Sequence, residues 1–262
     1  MTEAAFFDLD RTLIPGSSLF PIAREMFRRG YFTTGDIARF TLDQAAYRLF
    51  ATEDPGRIRR ARQGALDGIR ERSREEVLEL GRDLVRLELL PRMYPQALEL
   101  VARHQRHGRQ VYVCSAAPED LLQLFAADLG LDGVLGTRAL VDDDGRYTGE
   151  LDGEPCHGEE KARRVLDVAD EQHLDLEGSY AYSDSVNDVP LFEVVGNPVA
   201  TNPDRHLLQE ARRRGWPVLD FRAGRRRALV ASVAGASAAA TGVAAYVTGY
   251  LVGRARTRAA AA

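Results

Sequence analysis

The sequence predicts an α/β protein: a mostly parallel sheet with helices on both faces, and a helical insertion after the first strand. Three observations carry that prediction. Short apolar runs of strand length alternate with amphipathic stretches of helix length from Leu98 onward. No strand-like run interrupts residues 15–87, where the patterning is helical. Acidic or hydroxyl residues stand directly behind several apolar runs, as expected where a parallel sheet gathers its chemistry at strand carboxyl ends.

The first strand is the run Ala5, Phe6, Phe7 with Leu9, after which Pro15 and Gly16 turn the chain out of the sheet. Three helical stretches follow. They are SLFPIAREMFRRG, which stops at Gly30, then TGDIARFTLDQAAYRLF, then DPGRIRRARQGALDGIRERSREEVLELGRDLV, which starts at Asp54 and Pro55. The sheet rhythm resumes with an amphipathic helix from Leu98 to His107, the strand QVYVCSA and a helix from Glu119 to Leu129. VLGTRALV and RYTGEL read as strands either side of a DDDG turn. A helix from Glu159 to His173 leads to the strand SYAYSDS, and Val186 to Phe192 begins another helical turn. VGNPVATNPD holds a short strand, His206 to Arg213 is helical, and WPVLDF is the last strand.

A chain of 262 residues can hold one substantial core with room for an inserted subdomain. Its formal charge of -4 provides no general attraction to nucleic acid, so no nucleic-acid partner is expected. The runs at Arg57, Arg59, Arg60, Arg62 and at Arg212, Arg213, Arg214 read as solvated faces. Cys114 and Cys156 are too few for a disulfide scaffold or a zinc cluster, and no basic-then-apolar leader precedes the first strand; a cytoplasmic location is expected. Ala228 to Gly253 carries no charged residue and is flanked by Arg225, Arg226, Arg227 and by Arg254, Arg256, Arg258. It is long enough to cross a bilayer as a helix, although Ala, Gly, Ser and Thr outnumber its strongly apolar residues. A membrane-spanning or membrane-embedded tail at the cytoplasmic face is expected there, with a helix docked on this protein or a second copy, or a floppy Ala-rich tail, as alternatives.

Four clusters carry the candidate chemistry. Asp8 and Asp10 stand behind an apolar run, where carboxylates need a cation, a hydrogen-bond network or a chemical task. A turn after Asp8 lets both approach one ligand, Asp10 through its backbone carbonyl, and so hold a hard cation while Asp8 offers a free oxygen to phosphorus. A capping pair in a strand-to-helix turn is the alternative. Ser115, at the tip of QVYVCSA, donates to an anion or simply caps the helix after Pro118. Cys114 beside it reads as a small hydrophobe. Lys161 stands in the first turn of a helix, where the dipole disfavours a cation; it aims its ammonium at bound phosphate or is a surface lysine. Asp184 and Asp188 form a second acidic pair. Asp184 can complete an all-oxygen shell with Asp8 and the Asp10 carbonyl, a donor set that selects Mg²⁺ over zinc, while Asp188 accepts hydrogen bonds from water ligands or the lysine.

In this order DLDRT, the Ser of CSA, Lys161 and SDSVND resemble the four motifs of the haloacid dehalogenase (HAD) superfamily of phosphatases, most closely its phosphoserine-phosphatase-like branch. The resemblance runs from Ala5 to Asp204. It implies a Rossmann-like core over residues 1–14 and 88–222, with 15–87 as a helical cap over the site; the apolar tail 228–253 lies outside it. It also implies a Mg²⁺-dependent phosphomonoester hydrolase in which Asp8 forms an aspartyl-phosphate and Asp10 protonates the leaving oxygen, then activates water. Thr12 and Ser115 would hold phosphoryl oxygens and Lys161 would neutralise their charge. Asp8, Asp10 and Asp184 would bind Mg²⁺, with Asn187 and Asp188 in the supporting shell. The charge logic agrees, because a phosphate monoester dianion repels a carboxylate nucleophile until cations and donors offset the repulsion.

The implied partner is a small phosphorylated molecule, amphiphilic and lipid phosphates included. Transfer to an acceptor other than water, and a non-catalytic phosphate-binding regulator, are the competing readings; a mere binder has no need of the acid Asp10. Three departures from the branch stand out. Arg11 puts a long cation where small residues are usual, and SDSVND replaces GDGxND. The cap glutamate that recognises the substrate amine would fall near Ser17, the nearest acid being Glu25, which argues against phosphoserine.

Overall fold

The computed structural model describes residues 1–31 and 63–222. Residues Met1–Leu219 form one compact unit and Asp220–Ala262 a second. Strand β1 (Thr2–Phe7) lies inside the main sheet, with β2 (Gln110–Pro118) and β3 (Gly133–Thr137) stepping away on one side. A short antiparallel hairpin, β4 (Ala139–Val141) and β5 (Tyr147–Leu151), then leaves the sheet. The chain returns to the other side of β1 with β6 (Leu174–Ser183), followed outward by β7 (Asn197–Thr201) and β8 (Val218–Leu219). The order is β3-β2-β1-β6-β7-β8 and every pairing is parallel.

That winding positions the site. Its direction reverses between β1 and β6, where a parallel sheet opens a crevice beyond its carboxyl ends. Phe7 pairs with Val113 on one side and Tyr182 on the other, so β1 and β6 end within one residue of each other while β2 runs on to Pro118. Ala4, Ala5, Phe6 and Phe7 are all buried, the pattern of a strand covered on both faces. Phe7 stacks on Tyr182 with ring centroids 4.4 Å apart, and Phe6 stacks on Tyr112 at 5.3 Å, tying neighbouring strands together.

The helices are α1 (Leu19–Arg28), α2 (Arg74–Leu84), α3 (Pro95–Arg106), α4 (Glu119–Leu129), α5 (Glu159–Glu171), α6 (Val189–Glu193) and α7 (Arg205–Arg214) among the described residues, besides helical residues 63–69. One face of the sheet packs Phe6, Tyr112 and Ala181 against Val165 of α5, Leu191 and Phe192 of α6, and Leu207 of α7. On the other face α3 brings His104 against Phe7, Tyr180 and Tyr182. Helix α2 starts at an N-cap serine, the Ser73 hydroxyl accepting the Glu76 N–H at 3.2 Å. It lies so close to α4 that a Cβ on Gly81 would stand 2.8 Å from a Leu124 methyl. The chain then passes through a π-helical turn, Val85–Leu89, and a 3₁₀ turn, Leu90–Arg92.

The parallel α/β architecture, with helices on both faces and helical residues inserted after the first strand, is the one the sequence predicts. Several boundaries differ. Leu9 is buried but lies beyond β1, because pairing with β6 ends at Phe7 and the chain turns. The run 134–141 is two strands rather than one. Gly136 packs so tightly that a Cβ there would meet the Glu119 backbone at 2.5 Å, and Arg138 is held by Glu119 at 3.0 Å, diverting the chain into the hairpin. The long helical stretch ending near Val85 breaks at Glu71, whose φ of 63° is left-handed. The expected helix over residues 34–50 lies outside the described residues, as does the segment 228–253. Among the described residues no helix is long and apolar enough to cross a membrane.

Candidate active site

Asp8 from the end of β1, Lys161 from the head of α5 and Asp188 from the turn after β6 meet in one cluster, and Asp184 stands directly beyond β6. Asp8 is the first residue beyond β1; its N–H donates to the Tyr182 carbonyl at 2.9 Å and the residue is buried. The turn that follows is anchored by the buried Leu9, whose carbonyl accepts the N–H groups of Leu13 and Ile14 at 3.0 and 3.1 Å. Arg11 takes φ 61°, donates its N–H to the Gly16 carbonyl at 3.0 Å and offers its own carbonyl to Asn202 Nδ2 at 2.7 Å.

Lys161, in the first turn of α5, is 2% exposed. Its Nζ donates to Asp8 Oδ1 at 2.9 Å and to Asp188 Oδ2 at 2.6 Å. The Ser183 hydroxyl donates to the same Asp188 oxygen at 2.6 Å. Asp184, directly beyond β6, is 3% exposed, and its Oδ2 lies 2.6 Å from Arg11 Nε. Its carbonyl accepts the Asp204 N–H at 2.8 Å. Asn187 sits in the 3₁₀ turn Val186–Asp188 with its N–H on the Ser185 hydroxyl at 3.2 Å.

Asp10 is half-buried. Its Oδ1 accepts the Ser18 N–H at 2.8 Å and its Oδ2 the Ser17 hydroxyl at 3.0 Å, so the carboxylate fastens the start of α1 to the turn after β1. The capping alternative therefore describes what Asp10 does in this state. Thr12 is buried and its Oγ1 has no hydrogen-bond partner among the described residues, as is true of Asp188 Oδ1. Ser115 is buried within β2 and accepts the Ala117 N–H at 3.2 Å, which leaves its hydroxyl hydrogen to donate elsewhere. Lys161 is not the surface lysine of the alternative reading.

The electrostatics follow from crowding acids in a dry place. Burial pushes the Asp8 carboxyl up to about 7; the Lys161 ammonium opposes this, and the carboxylates of Asp188 and Asp10 add to it. Burial likewise raises Asp184 to about 8, helped by Asp8 and opposed by Arg11. Burial alone would lower Lys161, but Asp188 and Asp8 outweigh it and hold the ammonium above its ordinary value. The cluster is short of positive charge, and its donors are oxygens, so the residues present fit a hard divalent cation such as Mg²⁺. Among the described residues no three His, Cys, Asp or Glu side chains form a metal-holding group. The role expected of Asp10 there is that of its backbone carbonyl; its carboxylate is turned to Ser17 and Ser18.

A sequence model of the haloacid dehalogenase-like hydrolases matches residues 5–193. The chain belongs to that family. This HAD hydrolase is 40% identical over 230 residues to the phosphoserine phosphatase SerB1 of Mycobacterium tuberculosis, spanning 88% of this chain and 74% of the relative. It is 31% identical over 236 residues to a histidinol-phosphatase of Neisseria meningitidis, spanning 85% of this chain and 100% of the relative. A solved protein of unknown function from Bordetella pertussis superposes with a TM-score of 0.72 at 32% identity, covering 84% of this chain and 100% of the other. The expected family, its phosphoserine-phosphatase-like branch and the class of HAD-type phosphatase are thereby met.

Four residues in the HAD site escaped the candidate set. Arg11, in sequence only a long cation where small residues are usual, pairs with Asp184. Ser183 holds Asp188, Asn202 holds the Arg11 carbonyl, and Asp204 supports both Asp184 and the Val186 N–H. The segment TNPD carried a usable signal: Asn tolerates the left-handed φ of 51° found at Asn202, and Asp204 caps α7 at the Leu207 N–H, 2.7 Å away. Cys114 and Cys156 are buried, and burial raises both thiols, Cys156 to about 11, in keeping with packing rather than reactivity.

Proposed function

We propose that this HAD phosphatase hydrolyses the phosphate monoester of a small or amphiphilic alcohol through an aspartyl-phosphate on Asp8. The observation that carries the reading is the buried Asp8 carboxylate gripped on one oxygen by Lys161, at the sheet's switch point and among further acids. Lys161 holds Oδ1, leaving Oδ2 to attack. In the first half-reaction Asp8 Oδ2 bonds to phosphorus while the bond from phosphorus to the alcohol oxygen breaks, and Asp10 gives its proton to that oxygen. A water then loses a proton to Asp10 and attacks the same phosphorus. The bond to Asp8 breaks, inorganic phosphate leaves, and the free carboxylate returns.

The unpartnered Thr12 hydroxyl and the Ser115 hydroxyl donate to phosphoryl oxygens, and Lys161 offsets their charge. Asp8, Asp184 and the Asp10 carbonyl would hold Mg²⁺, with Asn187 and Asp188 in support. When bound, the ion supplies the positive charge that lets an anionic nucleophile approach a dianion.

Residues 15–87 serve in this reading as the cap that meets the leaving group. Glu25 accepts from Arg28 and Arg29 at 3.0 Å, and Ser17 is engaged by Asp10, so neither is set aside for a substrate ammonium. Phosphoserine and histidinol phosphate, for which the two relatives are named, are both phosphate monoesters of primary amino alcohols and belong at the head of a substrate panel. Sugar phosphates, glycerol phosphates and lysophosphatidate complete it. The expected result is phosphate release from at least one compound that requires Mg²⁺ and disappears in Asp8→Asn. Release that survives both chelation and Asp8→Asn would exclude the reading. Attachment of residues 228–253 to the cytoplasmic face of a membrane is tested by fractionating the full chain against a truncation ending before Arg225; equal recovery in the soluble fraction rules it out.

A further inference from the structure

Arg11 has no part in the hydrolytic scheme, yet it contacts a proposed metal ligand directly. Its Nε stands 2.6 Å from Asp184 Oδ2, and the two side chains differ sharply in exposure, 46% for Arg11 and 5% for Asp184. The backbone that launches Arg11 is pinned on both sides, by the Gly16 carbonyl and by Asn202 Nδ2. The other cation of the cluster, Lys161, is committed to Asp8 and Asp188. A buried carboxylate thus draws positive charge from a solvent-facing arm on a fixed base.

We propose that Arg11 is a resident counter-cation: it neutralises Asp184 when no divalent ion is bound, and Mg²⁺ displaces it from Asp184 Oδ2. This rests on the reading of Asp184 as a Mg²⁺ ligand. A divalent ion and a guanidinium drawn to one carboxylate repel each other, and of the groups involved only the arginine arm has solvent to retreat into. Arg11 therefore weakens Mg²⁺ binding while keeping the metal-free cluster from holding an unpaired buried carboxylate. The same release frees the guanidinium at the mouth of the crevice only once the metal is in place.

The experiment titrates Mg²⁺ alone into chelator-treated full chain by calorimetry, for the native protein and for Arg11→Met, Arg11→Lys, Asp184→Asn and Arg86→Met. Arg86 is a control guanidinium, paired with Asp128 at 2.9 Å on the surface. Arg11→Met should bind Mg²⁺ about tenfold more tightly, the scale of one partly exposed ion pair. Arg11→Lys should restore native affinity, and Arg86→Met should leave it unchanged. Thermal melts close the cycle: Arg11→Met should melt below the native protein in chelator, and the gap should shrink in saturating Mg²⁺. Equal affinity of Arg11→Met and native protein, a melting gap indifferent to Mg²⁺, or equal tightening by Arg86→Met would each overturn the proposal. If Asp184→Asn binds Mg²⁺ as the native protein does, the metal-site reading fails with Arg11 intact and takes this proposal with it. That outcome is distinct from loss of binding in Asp184→Asn with no effect of Arg11→Met, which sinks the Arg11 proposal alone.

Discussion

Asp8 should be a residue that the fold tolerates for its chemistry, so replacing it with Asn should remove turnover and add stability. Its carboxyl rises from an ordinary 3.8 to about 7 in the folded protein, burial being the main cause. A raised acid favours the neutral form in the fold. The penalty for ionising Asp8 is absent below pH 4, grows as pH rises through the folded value, and is constant above it. Three units at 1.36 kcal/mol each would give about 4 kcal/mol, and since the Lys161 ammonium shares the site, about 2–4 kcal/mol is the range expected at pH 8. For a chain of this size that corresponds to a rise in melting temperature of about 5–10 °C. The assay is calorimetric melting in chelator at pH 8 and pH 4.5, beside phosphate release from the best substrate of the panel. Asp8→Asn should be the more stable protein at pH 8, by a margin that closes toward pH 4.5 and narrows in Mg²⁺, which stabilises the native protein. Equal or lower stability at pH 8, or a gain undiminished at pH 4.5, would refute the electrostatic account.

Lys161→Met leaves two buried carboxylates without their ammonium, so it should cost about 3–5 kcal/mol at pH 8 and less at pH 5, as followed by urea unfolding; a cost below 1 kcal/mol would show that the pair is not strongly coupled. Thr12→Val removes a hydroxyl that has no partner, so stability should hold or rise by about 1 kcal/mol while inhibition by inorganic phosphate weakens at least about tenfold. If phosphate inhibition is unchanged, Thr12 does not hold a phosphoryl oxygen. His104 shares a 2.8 Å hydrogen bond with the Tyr182 hydroxyl, and burial, aided by the charges of Arg109, Arg103 and His107, lowers its imidazolium to about 4. The unfolded chain takes up that proton first, so stability is lost as pH falls from about 6.5 toward about 4, by up to about 3 kcal/mol. Urea midpoints of the native protein and His104→Gln between pH 4.5 and 7.5 should converge as pH falls; parallel curves would count against a buried neutral His104.

The family of this protein and its candidate site were legible in sequence because each motif is local. DLDRT, CSA, the helix-head Lys161 and SDSVND each join an apolar run to a polar end, and strand and helix periods show in a window of ten residues. Boundaries were less legible for a physical reason. Leu9 is as apolar as Phe7, and only the length of pairing with β6 decides that the strand stops before it. Likewise 134–141 is apolar at both ends, and its break at Thr137 and Arg138 goes with the Glu119 backbone crowding Gly136 and the Glu119 carboxylate holding Arg138.

The amino-acid sequence by itself determined which groups could act and which elements would carry them, since turn chemistry, periodicity and residue type are properties of neighbours along the chain. The tertiary structure alone decided their partnerships. Lys161 grips Asp8 across 153 positions, and Arg11 reaches Asp184, because the sheet order places β6 directly beside β1. Burial in that crevice then turned ordinary carboxylates into groups that crave a cation, a property no residue possesses until the fold has taken away its water.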